Sequence, residues 1–268
     1  MKKVDWKKFK ENILDIIYPR HIKCIFCGEE LNELVHNDTC VECLNKLPFI
    51  IHGCPKCGGL IEDNNTGVCL TCKRNMNGYY FDEAKSVFVY MDNVVNLVHN
   101  YKLENRKFLS EPMAKYLTER LITWGINVDY ITAVPLHENR EKVRRFNQSK
   151  EIALKVSEAV EIPYIDCIKK IKDNARQALL DIKDRKANVT DAYQFIKPFK
   201  NTIKDKSILL IDDVFTTGAT TNEISKILKN AGAKCIYILT FAHSVLGDFE
   251  EVRKKIIQLP KKKKKKTN

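Results

Sequence analysis

Two adjacent carboxylates, Asp212 and Asp213, close the apolar run Ile208-Leu209-Leu210-Ile211 and are followed by Val214-Phe215-Thr216-Thr217-Gly218-Ala219-Thr220-Thr221. This order makes chemical sense if the ligand is a ribose carrying a 5-phosphate. The apolar run fits a strand buried on both faces of a parallel sheet. Carboxylates at its C-terminal end can accept hydrogen bonds from two neighbouring sugar hydroxyls. A hydroxyl-rich turn that opens a helix offers N–H groups, O–H groups and a helix N-terminus to a phosphate. Gly218 lets the backbone come close to that phosphate.

Eight cysteines form four Cys-x-x-Cys pairs, Cys24/Cys27, Cys40/Cys43, Cys54/Cys57 and Cys69/Cys72, with 12, 10 and 11 residues between successive pairs. A two-residue spacer lets both thiolates of a knuckle face one tetrahedral metal, and two knuckles complete a four-cysteine site. Two structural zinc ions are therefore expected, with sequential and interleaved pairing of knuckles both allowed. Gly28, Gly58 and Gly59 follow their knuckles, where a tight turn suits glycine. A disulfide framework would need an oxidising compartment. The first twenty residues read as a charged amphipathic segment rather than a signal peptide, so metal is expected. Cys167 and Cys235 lie in apolar surroundings and are expected in the core.

A phosphate-rich ligand needs cations that fork around oxygens, which arginine does best. Arg140, Arg144 and Arg145 follow an expected strand end and can face it. Arg176 and Arg185 lie in a polar stretch suited to a closing lid. Each arginine also fits a solvated surface, and His137, after Val134-Pro135-Leu136, fits either a site-facing position or a solvated loop.

These residues need elements to position them. Trp6, Phe9, Ile13, Ile16 and Ile17 recur at helical spacing up to Pro19, giving an amphipathic helix over 1–20. Residues 21–80 hold the knuckles and little periodicity, so metal must stand in for a hydrophobic core. From 81 to 245 strands and helices alternate. Strands are expected at Val87–Tyr90, Tyr130–Val134, Ile208–Ile211 and Cys235–Phe241. Helices are expected near 93–104, 111–124 with Met113, Leu117, Leu121 and Ile122 on one face, 148–160 with Ile152, Ala153, Val156 and Val160, and after Gly218 with Ile224, Ile227, Leu228 and Ala231, stopping at Gly232. The alternation predicts a doubly wound α/β domain. In such sheets a ligand sits beyond the C-terminal strand ends, where Asp212, Asp213 and 135–140 fall. Residues 246–268 form a basic tail.

Hydrophobic residues are 44% and charged residues 30% of the 268, which is ordinary globular usage. No apolar run approaches the ~20 residues of a membrane span, so no stable membrane insertion and a cytoplasmic location are expected. The net charge is +12. Lys261–Lys266 supply six of these charges, leaving about +6 elsewhere. Basic balance favours polyanion partners without naming one.

The Asp-Asp-x-x-Thr-Thr-Gly stretch resembles the 5-phosphoribosyl-1-pyrophosphate (PRPP) loop of type I phosphoribosyltransferases. The cysteine knuckles ahead of it make nearly the whole chain, about residues 10 to 243, similar to the ComF family of competence proteins. Three segments carry the likeness besides the knuckles: Val134-Pro135-Leu136-His137 with Arg140, Arg144, Phe146, Asn147 and Gln148; Gln177 to Leu180 with Arg185 and Asn188 to Phe195; and the loop itself. The family usually has Arg-Gly-Phe-Asn where this chain has Arg144-Arg145-Phe146-Asn147, and the lysine tail is outside the pattern.

The resemblance implies a type I phosphoribosyltransferase-like sheet preceded by a small zinc-binding domain. It implies that Asp212 and Asp213 hold the ribose hydroxyls and that Thr216, Thr217, Gly218, Ala219 and Thr220 wrap the 5-phosphate. Arg140, Arg144 and Arg185 complete the expected PRPP contacts, with Mg²⁺ on the diphosphate. In 6-oxopurine salvage enzymes an acid stands two residues before the loop glycine. Thr216 stands there in this chain, which argues against that class and leaves orotate- and adenine-type loops open. The chain carries no recognisable nucleobase-binding segment, so turnover and the acceptor are left open. The implied function is a PRPP-binding protein in uptake or processing of single-stranded DNA during natural transformation, with a competence helicase as a candidate partner. A metabolic phosphoribosyltransferase acting on an unidentified base or amine is the alternative. A zinc-ribbon interaction protein with a degenerate fold is a third reading, opposed by the intact acids and hydroxyls.

Overall fold

The computed structural model describes residues 22–31, 36–61, 67–75, 78–104, 106–173 and 190–245. The expected helix over 1–20, the tail 246–268, Arg176, Gln177 to Leu180, Arg185 and Asn188 lie outside the described residues. Two compact units are distinguished, Met1–Leu47 and Pro48–Asn268.

The first unit is built on one pair of knuckles. Cys24 N–H donates to the Glu29 carbonyl and Gly28 N–H to the Cys24 carbonyl, closing a turn in which Gly28 has φ 80°. Lys23 and Glu30 form an antiparallel bridge behind it. Cys40 caps helix α1, Val41–Lys46, with its sulfur accepting from Cys43 N–H. The second unit repeats the construction. Cys54 N–H donates to Gly59, Gly58 N–H to Cys54, Gly53 bridges Leu60, and Cys69 caps helix α2, Leu70–Arg74, through Cys72 N–H.

The rest of the second unit is a parallel sheet in the order β1 (Glu83–Val89), β6 (Cys235–His243), β5 (Ser207–Phe215), β2 (Tyr130–Ala133). The chain ahead of the sheet joins its edge: Phe49 bridges Phe88 antiparallel, and Ile50 N–H donates to Val87. Helices α4 (Ser110–Trp124) and α6 (Gln148–Val160) pack against each other, α4 on β1 and β6 and α6 on β2 and β5. Helix α8 (Ala219–Asn230) packs on β5 and β6 and meets a small antiparallel pair, β3 (Ile168–Lys170) with β4 (Tyr193–Phe195). Helices α3 (Asp92–Leu103), α5 (Glu138–Arg144) and α7 (Lys200–Ile203) also belong to this unit.

The core follows from sequence where both faces of a strand are covered. Ile208, Leu209, Leu210 and Ile211 are all fully buried. Phe88, Tyr116 and Phe241 meet edge-on between β1, α4 and β6. Several details differ from the sequence-based expectation. Strand β5 runs on through Asp212 and Asp213 to Phe215, because its neighbour β6 continues to pair with it through His243. Ile122 is 67% exposed rather than on the buried stripe with Met113, Leu117 and Leu121, since it sits about 100° around the helix from Leu121. Cys167 is fully buried as expected, but Cys235 opens β6 and is only half-buried. Helix α5 and the β3–β4 pair were not anticipated. No described helix is long and apolar enough to cross a membrane.

Candidate functional site

Each pair of neighbouring knuckles draws four sulfurs together: Cys24, Cys27, Cys40 and Cys43 in the first unit, Cys54, Cys57, Cys69 and Cys72 in the second, with the Sγ atoms of a set all within 4.8 Å of one another. The pairing of knuckles is sequential. Sulfur separations of 3.7 Å for Cys27–Cys40, 3.6 Å for Cys54–Cys72 and 3.2 Å for Cys57–Cys69 exclude bonded pairs. A tetrahedral ion with ~2.3 Å metal–sulfur bonds sets its ligands about 3.8 Å apart. Backbone N–H groups of Cys40, Cys43 and Cys72 point at Cys24, Cys40 and Cys69 sulfurs, the environment that stabilises thiolates. Donor type, number and spacing therefore fit structural zinc.

The acids at the end of β5 have different surroundings. Alternation along a strand sends them to opposite faces. Asp213, 8% exposed, pairs with Lys102 of α3 at 2.8 Å. Asp212 accepts from Ser149 Oγ at 2.8 Å and from Asp213 N–H at 2.9 Å. Burial, and then the neighbouring Asp213 charge, raise the Asp212 carboxyl to a pKa of about 7, against the opposing pull of Lys102 and Ser149.

The turn after β5 is held rigidly. Gly218 has φ 74°, and a Cβ there would come within 2.5 Å of Phe215 Cζ and 2.9 Å of Tyr79 Cε1. Ala219 N–H donates to Thr217 Oγ1, Thr221 Oγ1 to the Gly218 carbonyl, and Ser225 Oγ to Thr221. Thr217 also accepts, through its carbonyl, from Tyr79 O–H at 3.1 Å. Helix α8 thus starts at a fixed turn whose first N–H groups lack intrahelical carbonyls.

A basic group faces Asp212 from the other elements. Lys170 on β3 lies within electrostatic reach of Arg140, Asp173, Asp212 and Arg144, and its ammonium sits 5.5 Å from the Tyr193 ring centre. Burial, then Arg140, hold its pKa below the ordinary lysine range. Arg140 and Asn139 both donate to Asp173, and Arg144 donates to Gln148 Oε1. The Gln148 side chain is buried, and its Nε2 has no partner among the described residues. Tyr193 is buried and shares a side-chain hydrogen bond with Thr220. His137 caps α5 by accepting from Asn139 N–H and stands 3.7 Å from Asp173.

A phosphoribosyl transferase domain model matches residues 149–267, and a double zinc ribbon domain model matches 13–73. Competence protein F of Haemophilus influenzae is 27% identical over 84% of this chain and 98% of its own length. Competence protein ComFC of Streptococcus pneumoniae is 28% identical over 80% of this chain and 96% of its own. The chain is ComF-like in both of its parts. DNA utilization protein YhgH of Escherichia coli is 25% identical over 69% of the chain and 81% of its own length.

One departure from the usual ComF pattern now has a physical meaning. Arg145, where glycine is usual, caps α5 with φ 62° and ψ −12°. The position demands a left-handed backbone, which glycine adopts without cost and arginine does not. Around this position Phe146 packs on Tyr101, and Asn147, buried, donates to the Val134 carbonyl while accepting from Lys150 N–H. Sequence reasoning missed Lys102, Ser149, Lys170 and Asp173, and named Tyr193 only within the segment Asn188 to Phe195. Ser149 follows directly on the quoted Phe146-Asn147-Gln148 segment and had a signal. Lys102 and Lys170 are two among 46 lysines and arginines, and nothing local marks them.

Proposed function

We propose that this ComF-like protein binds PRPP with Mg²⁺ at the C-terminal end of β5 and serves the uptake or processing of single-stranded DNA in natural transformation. The observation that carries the first half is the grouping of Asp212, the Thr216–Thr220 turn and the Arg140–Arg144–Lys170 cations around one strand end. In this reading Asp212 and Asp213 accept from the ribose hydroxyls, and Thr216, Thr217, Gly218, Ala219 and Thr220 wrap the 5-phosphate. Arg140 and Arg144, with Arg185 from the stretch between β3 and β4, face the diphosphate alongside Mg²⁺. Departure of the diphosphate from C1 leaves a cation-like sugar, and an ionised Asp212 at the ribose favours it electrostatically. Gln148, which accepts from Arg144 through Oε1, also offers Nε2 as a neutral donor. The relatives named for competence and DNA utilization support the DNA role, as does the net charge of +12.

The test is thermal stabilisation by PRPP with Mg²⁺, which a ligand binding only the folded state must produce. Wild type is expected to shift upward, and Asp212→Asn with Asp213→Asn to lose the shift while remaining folded. An equal shift in the double variant would remove both acids from the site. Turnover of PRPP with any member of a panel of bases and amines would move the assignment to a metabolic phosphoribosyltransferase.

A further inference from the structure

The second four-cysteine site and the phosphate turn belong to one compact unit, and a short chain of contacts joins them. Tyr79 stands seven residues after Cys72. Its hydroxyl donates to the Thr217 carbonyl, and its ring edge closes the space over Gly218. The next residue's N–H donates to Asn222 Oδ1 at 2.6 Å, so the same segment also grips the first turn of α8. Behind Tyr79 the aromatic packing is continuous. Tyr79 stacks on Phe81 at 4.6 Å, Phe81 meets Phe215 edge-on at 6.0 Å, and Phe215 stacks on His243 at 4.7 Å. The His243 ring in turn lies against Gly59, where a Cβ would come within 2.5 Å of it. Gly59 is the residue whose carbonyl receives Cys54 N–H in the knuckle turn. The phosphate turn is therefore clasped from two sides, by Tyr79 following the fourth knuckle and by Phe215–His243 leaning on the third.

We propose that Tyr79 is a positioning residue through which the second four-cysteine site holds the Thr216–Thr220 turn in its phosphate-binding shape. A turn that must present several N–H groups to one phosphate loses affinity if it is free to open, because ordering it then draws on the binding energy. The Tyr79 hydroxyl fixes the carbonyl of Thr217, which orients the Thr217–Gly218 peptide and its N–H. The knuckle supplies the anchor, since Cys54, Cys57 and Cys69 are buried in one apolar cluster with Phe81 and Phe215, and Cys72 and Tyr79 pack against it. Metal content at this site and affinity for the 5-phosphate are thereby coupled. This inference rests on the turn being a phosphate site.

The experiment compares wild type, Tyr79→Phe and Tyr79→Leu in the full chain. PRPP binding is measured by calorimetry with Mg²⁺, zinc by elemental analysis, and the backbone exchange of residues 216–221 by hydrogen–deuterium exchange without ligand. Tyr79→Phe keeps the ring and loses one neutral hydrogen bond, so PRPP affinity should fall by about threefold to tenfold. Tyr79→Leu should bind more weakly again and exchange faster across 216–221, with zinc content and folding retained in both. The partial rescue by phenylalanine separates positioning from a general loss of structure. Wild-type affinity and wild-type exchange in Tyr79→Leu would overturn the proposal. If wild type itself fails to bind PRPP, the ligand assignment fails, and exchange across 216–221 judges the coupling alone. Faster exchange in Tyr79→Leu then upholds it, and unchanged exchange overturns it.

Discussion

Asp212 and Asp213 are adjacent in the chain and unlike in their energetics. Asp212 is partly buried beside another carboxylate, so folding raises its pKa to about 7 from an unfolded value near 4. The folded state then holds more protons than the unfolded state between those values, and stability falls as pH rises through that window. Asp212→Asn should flatten this slope, leaving the ligand-free protein at pH 8 at least as stable as wild type. PRPP binding that needs ionised Asp212 should weaken below pH 7 in wild type. Melting temperatures from pH 5 to 8 for both proteins check the first point, and identical slopes would refute it. Asp213→Asn instead removes the partner of a half-buried Lys102 and should cost about 1–2 kcal/mol. Arg145 carries the opposite expectation. Its left-handed backbone costs roughly 1 kcal/mol that glycine escapes. Arg145→Gly should therefore match or exceed wild type in urea denaturation, by up to about 1 kcal/mol after its own entropy cost.

At the scale of elements, the knuckle is the smallest unit that repeats. Two successive knuckles make one unit, a glycine-bearing turn followed by a short helix capped by a cysteine sulfur. Four sulfurs converge in each, so metal binding and local folding are expected to be linked. Two zinc ions per chain are expected on elemental analysis. Fewer than one, together with disulfides found by mass spectrometry, would show that the sulfurs serve another purpose. The strand–turn–helix of β5 and α8 is the other decisive element. Gly218→Ala places a methyl where Phe215 and Tyr79 already stand, at φ 74°, and should destabilise by about 1–3 kcal/mol. Its upward shift with PRPP should vanish. A folded Gly218→Ala protein that responds to PRPP like wild type would exclude the turn as the phosphate site.

At the scale of the whole molecule, charge and architecture must act together. The groups around the end of β5 are confined to one part of the phosphoribosyltransferase-like sheet, whereas half of the net charge of +12 is in Lys261–Lys266 and the rest is spread over the chain. If the lysine run contacts single-stranded DNA, each phosphate neutralised contributes about 0.7 to the salt slope of binding. Deleting 261–268 should weaken binding and flatten that slope without changing sequence preference, zinc content or PRPP binding. Anisotropy titrations across a salt series check this. Affinity and slope equal to those of the full chain would leave the tail as a solvated run. No binding at low salt by the full chain would favour the metabolic enzyme.

Sequence alone determined the features that depend on local pattern. The strand Ile208–Ile211 was legible because a continuous apolar run has few other resting places. The knuckles were legible because metal geometry dictates ligand spacing. The turn at Gly218 opening a helix was legible because glycine and hydroxyls at fixed offsets mark a left-handed turn and a helix start. Other features were settled only by tertiary packing. Sequential pairing of the knuckles depends on which sulfurs meet in space, and the spacing allowed either. That β5 continues through the acids depends on β6 lying beside it. The division of Asp212 and Asp213 between Ser149 and Lys102 depends on helices distant in sequence. Lys170 reaches the strand end because β3 and β4, separated by some twenty residues of chain, pair across from it. Long-range contacts of this kind carry no local signature, because each partner residue is ordinary in its own segment and acquires its role only when the chain closes.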